Sequence, residues 1–171
     1  MAAGIRVSVD GADAALAAGR RAAGQAAQPR GLWDNIGASL VQSTKVRFER
    51  GHDPEGNPWP RSIRVQLGQG AGKTLIDTGT LMGSVTHEAS DGGVDVGTNV
   101  LYAAVHQFGD IITAKSAQSL HFVIGGRDVF VDSVEIPARP FLGLDDDDEK
   151  EIVIIADEWL LGEKGAGANA S

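Results

Sequence analysis

The chain has no cysteine among its 171 residues, which excludes disulfide stapling and thiolate metal sites and fits synthesis in a reducing cytosol. Long hydrophobic runs are lacking as well. Met1 to Val9 carries Arg6 within a short apolar alternation rather than the run of a signal peptide, and no later stretch approaches the length of a bilayer span. Neither secretion nor membrane insertion is expected. Positive charge is in short supply. Against 23 Asp+Glu there are 15 Lys+Arg, a formal net charge of -8, the opposite of the footprint that neutralises phosphates. Tight nucleic-acid binding is therefore disfavoured. Arg20, Arg21, Arg30, Lys45, Arg47 and Arg50 all lie in the first third, while much of the acid lies near the C-terminus. That asymmetry suits stacking on a neighbouring subunit as well as a local basic face.

Catalytic signatures are also missing. No Gly-x-Ser-x-Gly elbow occurs, and His52, His87, His106 and His121 stand far apart without metal-ligand spacing. Gly68 to Thr74 ends in the Gly-Lys-Thr of a phosphate-cradling loop, but Leu67 occupies the place of that motif's first glycine. A nucleotide-binding protein using this loop is the alternative from another functional class. Asp53, Glu55 and Asn57 alternate as in a calcium loop, yet Gly56 stands too early and Pro54 and Pro58 stiffen the backbone. Asp145 to Asp148 fit the dipole at a helix start better than a metal site. Neither cofactor nor enzymatic activity is expected.

A hydrophobic fraction of 42% and a charged fraction of 22% are those of a globular protein. The length indicates a single domain, residues 1–161, followed by a Gly- and Ala-rich tail, 162–171, read as disordered. Ile5, Val7 and Val9 alternate like a first strand, and an alanine-rich helix is expected over 12–27. Trp33, Ile36 and Leu40 recur at helical steps, continued by Thr44 and Phe48, and predict a helix over Arg30–Glu49. Residues 50–60 form a Pro- and Gly-rich loop pinned by Trp59. Ser62 to Lys73 reads as a short strand or extended segment with a Gly-rich end. Gly92-Gly93 divides one hairpin, and Gly125 to Asp128 a second between Leu120–Ile124 and Val129–Ile136. Between them a helix within 99–108 ends at Gly109, and a last amphipathic helix spans Asp148–Leu161. The fold class is α+β, an antiparallel sheet with flanking helices, including a long N-terminal helix and a C-terminal helix.

Four blocks are unusual for reasons other than catalysis. They are Arg47-Phe48-x-x-Gly51-x-Asp53-Pro54-x-Gly56-x-x-Trp59, Leu75-x-Asp77-Thr78-Gly79-x-Leu81-x-x-Ser84, Tyr102-Ala103-x-x-His106-Gln107-Phe108-Gly109 and Pro137-Ala138-Arg139-Pro140-Phe141-Leu142-Gly143-Leu144. In this order, over about residues 30–160, they resemble the phage virion morphogenesis family, the tail completion proteins of tailed bacteriophages. The resemblance implies a structural protein of the neck or upper tail, made in the host cytoplasm. Acting late in assembly, it would form a homo-oligomeric ring, a hexamer to match the tail tube, that caps the tube and meets the head-tail connector proteins. Genome DNA would touch it only in passing, through a lumen whose acidity repels phosphate. A head-tail connector or another tail structural protein is the nearer alternative.

Trp59, His106, Gln107, Arg139 and Phe141 are the interface candidates. Arg139 and Phe141, on a backbone fixed by Pro137 and Pro140, are side-chain types enriched at binding hot spots. The opposing reading has Phe141 and Leu142 filling the core. His106 and Gln107 have either their own loop or a partner to bond, Tyr102 and Phe108 are assigned to the core, and Asp77 or Thr78 caps a turn.

Overall fold

A computed structural model describes residues 29–68, 72–114 and 119–161. The first strand, the alanine-rich helix, the centre of the Gly68 to Thr74 loop and the tail expected from the sequence lie outside the described residues. The order of elements is α1 (Pro29–Arg50), α2 (Ile63–Gln66), α3 (Thr80–Gly83), β1 (Thr86–Ser90), β2 (Gly93–Gly97), α4 (Ala103–Phe108), β3 (Asp110–Thr113), β4 (Leu120–Ile124), β5 (Arg127–Val131), β6 (Ser133–Ile136) and α5 (Asp146–Leu161). The class is α+β, with the long helix and the closing helix in their expected places.

Internal packing groups these elements into two units. One holds the first part of α1, the β1–β2 hairpin and α5. Pro29 opens α1, where its missing N–H would have no partner anyway. Leu32, Trp33, Ile36 and Leu40 are buried, an apolar face at three- and four-residue steps. The hairpin runs Thr86↔Gly97 to Ser90↔Gly93, with Val94 and Val96 turned to one buried side of β2. Gly37 makes this packing possible, because a Cβ there would lie 2.5 Å from the His87 ring and 2.7 Å from Val94. On α5, Ile152 and Ala156 are buried one turn apart. The start of α5 is capped reciprocally. Asp145 Oδ1 accepts the backbone N–H groups of Asp147 and Asp148 at 3.0 and 2.8 Å, and Asp148 Oδ2 accepts that of Asp145 at 3.1 Å.

The other unit holds the end of α1, the loop after it, α2, α3, α4 and four strands. The N–H of Gly51 (φ 76°) closes α1 by donating to Arg47 O at 2.7 Å. The chain then folds back as a short hairpin. Asp53 Oδ1 accepts from the Asn57 backbone N–H at 2.7 Å and Oδ2 from Asn57 Nδ2 at 3.0 Å, while Trp59 N–H donates to Gly51 O at 2.8 Å. The Asp53 carboxylate thus holds its own loop in place of a calcium ion.

Four expectations need correction. Residues 63–66 are helical rather than extended. Ser62 starts the turn by accepting the Val65 N–H through Oγ at 3.4 Å, and Ile63 and Leu67 remain exposed, so no buried face enforces a strand. The strands form three separate two-stranded ladders instead of one sheet: β1 with β2, β3 with β6, and β4 with β5. The second hairpin turns on Gly125-Gly126 alone, both at positive φ, as a two-residue turn matching strand twist demands. That shorter turn ends β5 at Val131 and frees Ser133–Ile136 to pair antiparallel with β3. Finally, Tyr102 and Phe108 are not core residues. On the six-residue α4 the buried positions are Ala103 and Gln107, one turn apart, and Phe108 is a step of the helix away and 68% exposed.

Candidate assembly site

The first, third and fourth sequence blocks meet within one unit, at a backbone segment gripped by side chains. The segment is Pro137 to Gly143. Trp59 Nε1 donates to Pro140 O at 2.9 Å, Arg47 Nη1 to Gly143 O at 2.9 Å, and Arg139 Nε to Pro60 O at 2.7 Å. Gln107 closes the grip. Its Nε2 donates to Leu142 O at 2.9 Å and its Oε1 accepts the N–H groups of Phe141 and Leu142, each at 3.0 Å. One amide thereby satisfies three backbone groups of a segment that has no strand partner.

Behind these bonds sits an aromatic cluster. Phe48 meets Trp59 edge to face with ring centroids 5.6 Å apart, and Phe141 at 5.1 Å with the planes tilted 45°. Phe48 and Phe141 are wholly buried and Trp59 nearly so. Gly109, at φ 74°, lets the end of α4 approach this segment. A Cβ there would stand 2.9 Å from Ala138 N and 3.0 Å from Ile136 O, closer than real Cβ atoms come to backbone.

The five interface candidates are thus brought together, and four of them face inward. Trp59, Gln107, Arg139 and Phe141 are buried and their bonds are made within the unit. Of the two readings left open for Phe141 and Leu142, the core reading holds. His106 is only partly enclosed. Its ring packs edge to face on Tyr102 at 5.9 Å, its Nδ1 is buried with no hydrogen-bond partner, and its pKa is lowered, first by burial and then by the charge of Arg139. At the second block, Thr78 accepts the Thr80 N–H through Oγ1 at 3.4 Å, and Asp77 faces Arg64 at 3.6 Å.

Exposed apolar side chains also occur in the same unit on ribbons that carry none of the four blocks. On β3, Ile111 is 62% and Ile112 39% exposed. Because neighbouring residues of a strand point to opposite faces, both faces of the β3–β6 ribbon present apolar side chains. On β4–β5, Val123 and Phe130 are similarly exposed, the latter lying flat on His121 with centroids 4.7 Å apart. A lone two-stranded ribbon is marginal in water, and exposed apolar ribbons mark places where another chain adds. Sequence reading missed this surface because apolar alternation in a strand reads as core whether or not anything covers it.

The phosphate-loop alternative finds no support in the geometry. Lys73 pairs with Ile76 in an isolated β-bridge, and the next helix, α3, begins only at Thr80. A P-loop requires its Lys and Thr at the N-terminus of a helix.

Comparison with known proteins decides the family. Residues 10–161 match the phage virion morphogenesis family. The chain belongs to that family. It is 32% identical over 149 residues to "Mu-like prophage FluMu G protein 2" of Haemophilus influenzae, covering 87% of this chain and 91% of that protein. It is 31% identical over 124 residues to "Putative capsid assembly protein G" of Escherichia phage Mu, covering 68% of this chain and 70% of that one. No solved structure matches. The family makes this a component of phage virion assembly, and among the described residues no helix is long and apolar enough to cross a membrane.

Proposed function

We propose that the protein completes the tail at the head-tail joint, as a structural and non-enzymatic ring of identical subunits, a hexamer, that caps the tail tube and receives the head-tail connector proteins. The observation that carries this reading is the pair of uncovered ribbons, β3–β6 and β4–β5, whose apolar side chains are presented to solvent in a virion morphogenesis protein. Adding a neighbouring subunit covers them, and ring closure leaves no exposed end for further growth. The net charge of -8 has a use in a ring through which DNA slides, since an acidic lumen repels phosphate. A lumen lined mainly by Arg and Lys would refute that part.

A post on the head side is the second reading, favoured by the words "capsid assembly" in the name of the phage Mu relative. Imaging the layer the protein occupies in the virion separates the two. For the ring itself, mass in solution across a concentration series, followed by imaging, should show a closed hexamer. A chain that stays monomeric and also fails to bind isolated tails would overturn the proposal.

A further inference from the structure

Next to the gripped segment lies a cavity of about 320 Å³, lined by residues that include Arg64, Leu75, Asp77, Thr80, His106 and Arg139. Its charge is unbalanced. Arg64 and Asp77 are paired at 3.6 Å, whereas Arg139, 6% exposed, engages Pro60 O and Pro137 O but, among the described residues, no carboxylate. Among the described residues that line the cavity, Asp77 is the one carboxylate beside the guanidinium groups of Arg64 and Arg139, and a buried cation without a counter-ion is costly to hold. The Nδ1 of His106 is a buried polar atom without a hydrogen-bond partner among the described residues. The Leu75 backbone, at φ 62°, is in the left-handed region that a branched side chain rarely adopts, as occurs where strain serves a site. At this size the cavity stands at the lower end of ligand pockets, about 300–1,000 Å³. It has room for the tip of a side chain rather than for a nucleotide.

We propose that this cavity is a receptor for a carboxylate, supplied by the acidic start of α5 in a second copy of the chain, so that each subunit locks the next by a charged knob in a donor-lined hole. The proposal rests on the ring reading. Charge complementarity selects the donor. Asp145 and Asp148 are taken up in the helix cap, but Asp146 and Asp147 are exposed, and among the described residues the Asp146 carboxylate makes no hydrogen bond or ion pair. A carboxylate in the cavity would satisfy Arg139 by a charge-assisted bond and give His106 Nδ1–H an acceptor.

The test uses the full chain and a blocked peptide of residues 144–150, with a control in which its aspartates are asparagines. The acidic peptide should bind and raise the pH at which His106 titrates, followed by NMR, because a new anion opposes the charge of Arg139. Thr80→Glu, at the exposed first position of α3, should place a carboxylate in the cavity from within, raising the melting temperature and abolishing peptide binding, while Thr80→Gln does neither. Asp146→Asn with Asp147→Asn, which leaves the cap intact, should weaken self-association about tenfold or more, as loss of a buried charge contact does. Mixing that variant with Thr80→Glu should restore one pairing, since one partner keeps an open cavity and the other an intact acidic run. Binding of the two peptides alike, or a ring indifferent to Asp146 and Asp147, overturns the inference and leaves the ring reading standing. Peptide binding by a chain that stays monomeric at every concentration overturns the second copy as donor together with the ring, and the carboxylate site survives.

Discussion

The gripped segment and the two ribbons belong to the same unit and are built on opposite rules. Around Pro137 to Gly143, polar side chains point inward and are satisfied by backbone groups. On β3 and β5, the apolar side chains of Ile111, Ile112 and Phe130 are exposed. Three of the four sequence blocks build the first region and none lies in the second. The letters by which the family is recognised therefore specify how the chain folds. On the proposed reading, assembly falls instead to apolar residues exposed on strands.

If that contrast is right, substitutions in the two regions separate stability from assembly. The largest loss belongs to the aromatic cluster. Phe141→Ala should cost about 3–5 kcal/mol through lost burial and a residual cavity, read as a steep fall in melting temperature. A loss below 1 kcal/mol would show that Phe141 is not the centre of the core. Gln107→Ala comes next, leaving two N–H groups and one carbonyl of the segment without partners, at about 2–4 kcal/mol in all. Gln107→Glu sharpens the point, because its carboxylate still accepts the N–H of Phe141 and of Leu142 but cannot donate to Leu142 O. It should be destabilised, and increasingly as pH rises through the carboxyl's titration, in chemical denaturation.

The smallest effect is a pH dependence at His106. Its folded pKa is lowered by burial and by Arg139, so the unfolded chain binds the proton more readily. The preference is fully present above the ordinary imidazole value and is lost as pH falls below it. Acidification through that range should lower the melting temperature slightly, and His106→Asn should flatten that part of the profile. A histidine variant with an unchanged profile would break the link.

The sequence announces single elements more plainly than it announces the ribbons, for physical reasons. Helical steps at Trp33, Ile36 and Leu40, a glycine after α4, acids at the start of α5 and Gly92-Gly93 are local signals, and each marks an element that formed where expected. The β3–β6 pairing is not local. It joins Asp110–Thr113 to Ser133–Ile136 across the intervening hairpin, and nothing in either segment names its partner. The alternation of Ile63, Val65 and Leu67 misleads because a cap at Ser62 decides the conformation while the apolar side chains stay outside. The blocks single out Trp59, Gln107, Arg139 and Phe141, but their chemistry as residue types fits a hot spot and a core equally well. Only the direction in which each points separates the two.

The most direct trial of the division between folding and assembly is sedimentation of the paired variant Ile111→Glu with Phe130→Glu beside the parent chain and Phe141→Ala. Both new charges lie on exposed positions, so this variant should melt within about 1 kcal/mol of the parent and sediment only as a monomer while the parent forms its ring. A variant that still closes the ring, or that unfolds as Phe141→Ala does, would contradict the assignment of assembly to the ribbons.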